Sequence, residues 1–74
     1  MKSSYAIILV PSVAHATRAE SLLKAMGLRC KLIPVPRSVR SDCGVCVRVE
    51  RKDMALATAA LRGGAVTVLG VLEI

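Results

Sequence analysis

Two cysteines separated by two residues, Cys43 and Cys46, have the type and spacing best suited to chemistry in this sequence. A thiol acts as a nucleophile or a soft ligand in its thiolate form, and nearby cations favour that form. The Cys-x-x-Cys spacing permits an internal disulfide or joint capture of one soft atom, and Gly44 lets the backbone bend between the two sulfurs. The motif predicts thiol chemistry, with either cysteine as the group that reacts first.

Three arginines surround the dithiol. Arg48 follows Cys46 by two positions on a predicted strand, so both side chains should leave the same face of the sheet. Arg37 and Arg40 lie in a polar loop just before Cys43. We expect these arginines to hold the thiolate or an anionic cargo by charge; the alternative for Arg37 and Arg40 is that they simply face solvent.

Other interpretations of the cysteines remain open. A thioredoxin-type redox pair sits where a strand enters a helix, whereas this motif runs from a loop into a strand, which disfavours that mechanism. A structural zinc site needs four ligands, and Cys43 with Cys46 supplies two, so a metal site would need a dimer to pool two pairs. Buried cysteine also packs as a small hydrophobe. We expect this packing role for Cys30, which should face the helices, and we expect His15 to be a solvated helix residue.

Hydrophobic periodicity predicts four strands and two helices. The predicted order is a strand over 5–10, a helix over 13–26 with Ser12 as N-cap, an edge strand over 28–35, a strand over 44–50, a helix over 53–62 and a strand over 65–74. The β-α-β-β-α-β order predicts a single α+β domain, residues 1–74, with a ferredoxin-like fold: a four-stranded antiparallel sheet with both helices on one face. Because the first and last strands are apolar on both sides, we expect a homodimer through the open face of the sheet.

Charge and composition narrow the function classes. Residues 29–52 hold seven cations and two carboxylates, which is +5 of the total +6. A basic surface suits nucleic acid, yet the chain has one Tyr and no Phe or Trp for base stacking, so nucleic acid is not the expected partner. The apolar runs are too short to cross a membrane, and the odd number of cysteines argues against a secreted disulfide framework. We therefore expect a cytoplasmic protein with reduced thiols.

Two neighbouring motifs carry a family resemblance. The first is the Pro-x-Pro-Arg stretch Pro34 to Arg37, and the second is Ser-Asp-Cys-Gly-x-Cys, which spans Ser41 to Cys46. Together with an opening strand that ends in Pro11, they resemble the selenium/sulfur carrier protein-like family over nearly the whole chain. The resemblance implies a carrier, rather than a turnover enzyme, whose cysteine holds sulfur or selenium as a persulfide or selenosulfide.

The resemblance also implies which partners the protein binds, and other functions remain as alternatives to the carrier. Donor and acceptor proteins of the chalcogen are the implied partners, no resident cofactor is implied, and the basic loop would suit an acidic protein. A metal-binding or trafficking module that uses Cys43 and Cys46, with zinc as the metal, is the first alternative. A thiol-disulfide redox module and a regulatory interaction domain are the others.

Overall fold

The computed structural model describes residues 4–39 and 44–74. Over these residues the chain forms four strands, two helices and one 3-10 turn. Their bounds are β1 Tyr5–Leu9, α1 Val13–Ala25, β2 Cys30–Pro34, β3 Val45–Glu50, the turn Arg51–Asp53, α2 Met54–Gly63 and β4 Gly70–Glu73.

The sheet is antiparallel throughout and has the strand order β2-β3-β1-β4. The two central strands are β1 and β3, as predicted, and the edges are β2 and β4. The order β-α-β-β-α-β with this sheet confirms the ferredoxin-like α+β fold. The fold places β3, which carries Cys46, in the middle of the sheet.

The core lies between the helices and one face of the sheet. Alternate residues of the central strands, such as Ile8 and Val47, turn toward the helices, where Leu23 of α1 and Leu61 of α2 meet them. All four side chains are 0% exposed. The packing of the two helices on the sheet buries this apolar surface, and that burial supplies the main stabilisation.

Helix α1 has well-defined ends. The Ser12 side chain accepts a hydrogen bond from the His15 backbone N–H, which confirms Ser12 as the N-cap. At the other end Gly27 has a φ of 79°, and the Leu28 N–H donates to the Leu23 carbonyl across it. With the bond from the Gly27 N–H to the Lys24 carbonyl, this forms a Schellman motif, in which glycine takes the left-handed position at no steric cost.

Helix α2 ends where the sequence predicts, at Gly63, with Gly64 as its C-cap. The left-handed residue after it is not a glycine but Ala65, with a φ of 61°. The Val66 N–H donates to the Leu61 carbonyl to close the Schellman motif, and Val66 packs into the core. Strand β4 begins at Gly70, five positions later than predicted.

We expect Ala65→Gly to raise the free energy of unfolding by about 0.5 to 1 kcal/mol. The left-handed conformation costs an L-residue roughly 1–2 kcal/mol, and part of that gain is offset by the greater freedom of glycine in the unfolded chain. Ala59→Gly is the matched control, because Ala59 is an exposed residue inside α2. It should lower stability by about 1 kcal/mol. Urea denaturation measures the change in the free energy of unfolding of each variant. If both variants are destabilised equally, Ala65 is not strained.

Candidate functional site

The second cysteine of the motif lies on the face of the sheet opposite the helices. Cys46 is paired with Leu9 of β1 and Ile33 of β2, and it is 0% exposed. The sequence correctly places it on a strand face, on the opposite side from Cys30. A sulfur covered in this way is out of reach of a large reagent unless the protein moves.

The first cysteine, Cys43, and Arg40 lie outside the described residues. Their predicted roles stay predictions. The description resumes at Gly44, which has a φ of 76° and accepts a hydrogen bond at 3.0 Å from the Val35 N–H. Glycine at this position therefore bends the chain directly before β3 while the β2–β3 pairing continues.

Arg48 leaves the same face as Cys46, as its spacing predicts. Its guanidinium carbon lies 4.2 Å from the centroid of the Tyr5 ring. This is a cation–π contact between the two central strands. The aromatic ring therefore fixes where the Arg48 charge sits, a partnership that sequence reasoning missed because it requires the register of β1 against β3.

Arg37 sits on an exposed turn. The Val39 N–H donates to the Pro36 carbonyl at 2.9 Å, so Arg37 is the first central residue of a tight turn that follows β2. Its side chain is exposed, as a docking residue or a solvated residue would be. The predicted contact of Arg37 with the thiolate is untested, because Cys43 lies outside the described ranges.

Cys30 packs on the helix side, as predicted. It contacts the core cluster from β2, and its thiol donates a hydrogen bond to the Glu20 carbonyl of α1 at 3.7 Å. Burial raises the pKa of the Cys30 thiol, the negative charge of Glu20 raises it further, and Lys24 opposes the shift. Cys30 is therefore held as a neutral thiol, which suits a packing role better than a nucleophilic one.

We expect the Cys30 pKa to make stability fall at alkaline pH. A raised pKa in the folded protein means that the folded state binds more protons, so this contribution is complete below the ordinary thiol pKa of about 8.5 and is lost as pH rises through the folded value. Urea denaturation between neutral and alkaline pH should show a smaller decline for Cys30→Ser than for wild type. If the stability of the two proteins falls equally with pH, the Cys30 thiol does not have a raised pKa in the folded state.

His15 is tied to the start of α1 rather than simply solvated. It is half-buried, and its Nδ1 lies 2.7 Å from the Ser12 hydroxyl oxygen. The same hydroxyl caps the helix. We assign His15 a local structural role in the capping of α1.

Among the described residues, no helix is both long enough and apolar enough to cross a membrane. Within 4–39 and 44–74, no three side chains of His, Cys, Asp or Glu come together as metal ligands. Since Cys43 lies outside those ranges, the zinc alternative on Cys43 and Cys46 stays a prediction.

The open face of the sheet carries less exposed apolar surface than the sequence suggested. Ile7 and Cys46 are fully covered within the single chain, while Tyr5 and Leu72 are 39% and 40% exposed. The homodimer through this face stays a prediction, which sedimentation at micromolar concentration would check.

The chain is similar to a known protein family over most of its length. The sequence model of a protein family described as "Putative Se/S carrier protein-like" matches residues 5–73, nearly the whole chain. No curated protein and no solved structure matches the chain significantly.

Proposed function

Because this chain belongs to the Se/S carrier protein-like family, we propose that it carries sulfur or selenium on its Cys43–Cys46 dithiol and passes the atom to a partner protein. The observation that carries the proposal is the extent of the family match, which runs from β1 to β4 and contains the whole Cys-x-x-Cys motif. The cargo is a persulfide, or a selenosulfide when selenium replaces the outer sulfur.

Loading begins with the Cys43 thiolate. It attacks the outer sulfur of a persulfide on the donor protein, the bond between the two donor sulfurs breaks, and the donor cysteine leaves as a thiolate. The product is a persulfide on Cys43, and no external oxidant or reductant is needed. Delivery repeats the step, with a nucleophile of the acceptor protein attacking the same outer sulfur.

The burial of Cys46 supports the assignment of the first attack to Cys43. A thiolate of a carrier must reach a sulfur on another protein, and Cys46 is 0% exposed. Cys46 acts second: its thiolate can attack the inner sulfur of a Cys43 persulfide, form the Cys43–Cys46 disulfide and expel hydrosulfide. Reduction of that disulfide by a thiol would restore the dithiol.

The arginines supply positive charge for the anionic cargo and for acidic partners. Exposed Arg37 suits contact with a donor or acceptor protein, and Arg40 is assigned the same role from its place in the sequence. Arg48 adds charge two positions along the strand from Cys46, on the same face of the sheet. A basic surface of this kind speeds encounters with acidic partners and does so less at high salt.

Intact mass spectrometry after incubation with a persulfide donor tests the proposal. We expect wild-type protein to gain the mass of one sulfur atom, removable by a thiol reductant. Cys43→Ser should gain none, and Cys46→Ser should still load. Cys30→Ser is the matched control, because it removes a thiol of this chain that the proposal does not use, and it should load like wild type.

Two results would reject the carrier. One is no added sulfur on either wild type or Cys46→Ser, and the other is equal addition to wild type and to the Cys43→Ser/Cys46→Ser variant. Metal analysis of the same purified protein tests the metal-binding alternative. A stoichiometric metal that disappears in Cys43→Ser would favour that alternative over the carrier.

A further inference from the structure

Three cations converge at the end of the sheet where β1 and β2 begin and β3 ends. Arg29, Lys31 and Arg48 line one cavity of about 240 Å³, with Tyr5 and Glu50 also in its wall. We call this cavity the cation pocket. It lies toward the end of β3 that is farther from Gly44.

The cation pocket holds positively charged side chains close to one another. Lys31 and Arg48 are direct cross-strand partners of β2 and β3, on the face of the sheet away from the helices. Like charges directly opposite each other in an antiparallel pair repel and destabilise the sheet. In the part of the chain that the structure describes, none of the three cations forms an ion pair with a carboxylate.

The acidic residue in the wall does not cancel this charge. Glu50 is engaged with Lys52, whose Nζ lies 3.5 Å from a Glu50 carboxylate oxygen. Lys52 therefore offsets the Glu50 charge, and the pocket remains strongly positive. A bound anion would relieve the repulsion between Lys31 and Arg48.

The Arg48 side chain is already held in place before an anion binds. Its guanidinium carbon lies 4.2 Å from the centroid of the Tyr5 ring, so the ring holds the charged group in place. An aromatic ring supplies no oxygen acceptor, so the N–H donors of the guanidinium can still bind an oxyanion. Arg48 is also half-buried, which makes its charge less screened than that of a fully exposed arginine.

We propose that the cation pocket binds a phosphate-class oxyanion, either the free ion or the terminal group of a small ester. Three separate cationic groups match the several oxygens of a tetrahedral dianion, and arginine pairs with phosphate through two parallel hydrogen bonds. The volume is below the range of about 300 to 1,000 Å³ that is usual for whole small-molecule ligands, which favours a single oxyanion group. The pocket adds to the dithiol a second site, for an anion.

Titration with inorganic phosphate, followed by amide NMR shifts at low ionic strength, tests the proposal. We expect saturable shifts at Lys31, Arg48 and their neighbours on β2 and β3. Lys31→Gln and Arg48→Gln should each weaken binding about tenfold, since each removes a charged hydrogen-bond donor. Arg62→Gln is the matched control: it removes the same charge from an exposed residue of α2 and should leave the affinity nearly unchanged.

Some results would overturn the proposal. These are shifts that do not saturate, an equal loss of affinity in Arg62→Gln and Arg48→Gln, or equally tight binding of succinate, which would indicate a general carboxylate site. Binding of phenyl phosphate as tight as that of inorganic phosphate would identify an ester group as the ligand, whereas a clear preference for the inorganic ion would identify the free ion. Cys43→Ser, which should not load sulfur, should keep its phosphate affinity, so failure of sulfur loading and failure of this proposal are distinguishable.

Discussion

A variant that keeps Cys46 as its sole thiol, Cys30→Ser/Cys43→Ser, is expected to react with a water-soluble disulfide reagent at least about 100-fold more slowly when folded than when unfolded in urea. The reason is that Cys46 is 0% exposed on a central strand of the sheet. A reagent reaches such a thiol only through local or global opening, and the open fraction of a stable small domain is on the order of one in a thousand or less. The absorbance of the released aromatic thiol gives both rates.

The matched control is the variant that keeps Cys30 alone, Cys43→Ser/Cys46→Ala. Cys30 is only half-buried, at an edge strand. Because its raised pKa also slows reaction, each variant is compared with its own unfolded rate at one pH. We expect much weaker protection of Cys30 than of Cys46. Protection of Cys46 no greater than that of Cys30 would show that β3 opens readily on its own.

The degree of protection bears on the order of the carrier reaction. If Cys46 is strongly protected, a donor protein meets Cys43 first, and Cys46 enters only within the carrier itself. Its role is then the intramolecular attack on a loaded Cys43 persulfide, and it takes no part in the encounter with the donor. A weakly protected Cys46 would instead allow either cysteine to load.

Local patterns in the sequence were sufficient for the fold and for the placement of two cysteines. Alternation along β3 puts Cys46 and Arg48 on one face, and alternation along β2 puts Cys30 on the other, because the side-chain period of a strand is two. The β-α-β-β-α-β order then leaves few topologies, since connections are short and handed. These predictions depend on nearest neighbours along the chain.

The features that the sequence did not predict depend on contacts between distant segments. Two adjacent glycines correctly indicate the end of α2, yet the left-handed residue is Ala65, and Val66 after it packs into the core. The contact of Tyr5 with Arg48 and the convergence of the cations need the register between strands that are far apart in the chain. Charge counting identified a basic region over 29–52 but not which of its members share a pocket.

Leu61→Ala is expected to lower the free energy of unfolding by about 3 kcal/mol, through the lost burial and the cavity that the smaller side chain leaves. Leu61 is 0% exposed and belongs to the core cluster. A domain of 74 residues has a total stability of only about 4 to 11 kcal/mol, so the loss is a large share. Leu56→Ala is the matched control: the same change on the same helix, at a residue that is 53% exposed, should cost less than about 0.5 kcal/mol. Urea denaturation measures both.

The same pair of substitutions separates global from local opening at Cys46. A loss of about 3 kcal/mol raises the globally unfolded fraction on the order of 100-fold. If Cys46 reacts through global unfolding, Leu61→Ala placed in the variant with Cys46 as sole thiol should speed the reaction by the same factor, and Leu56→Ala should not. An unchanged rate in Leu61→Ala would show that β3 exposes Cys46 by a local opening, which leaves the core of the carrier folded while the second thiol acts.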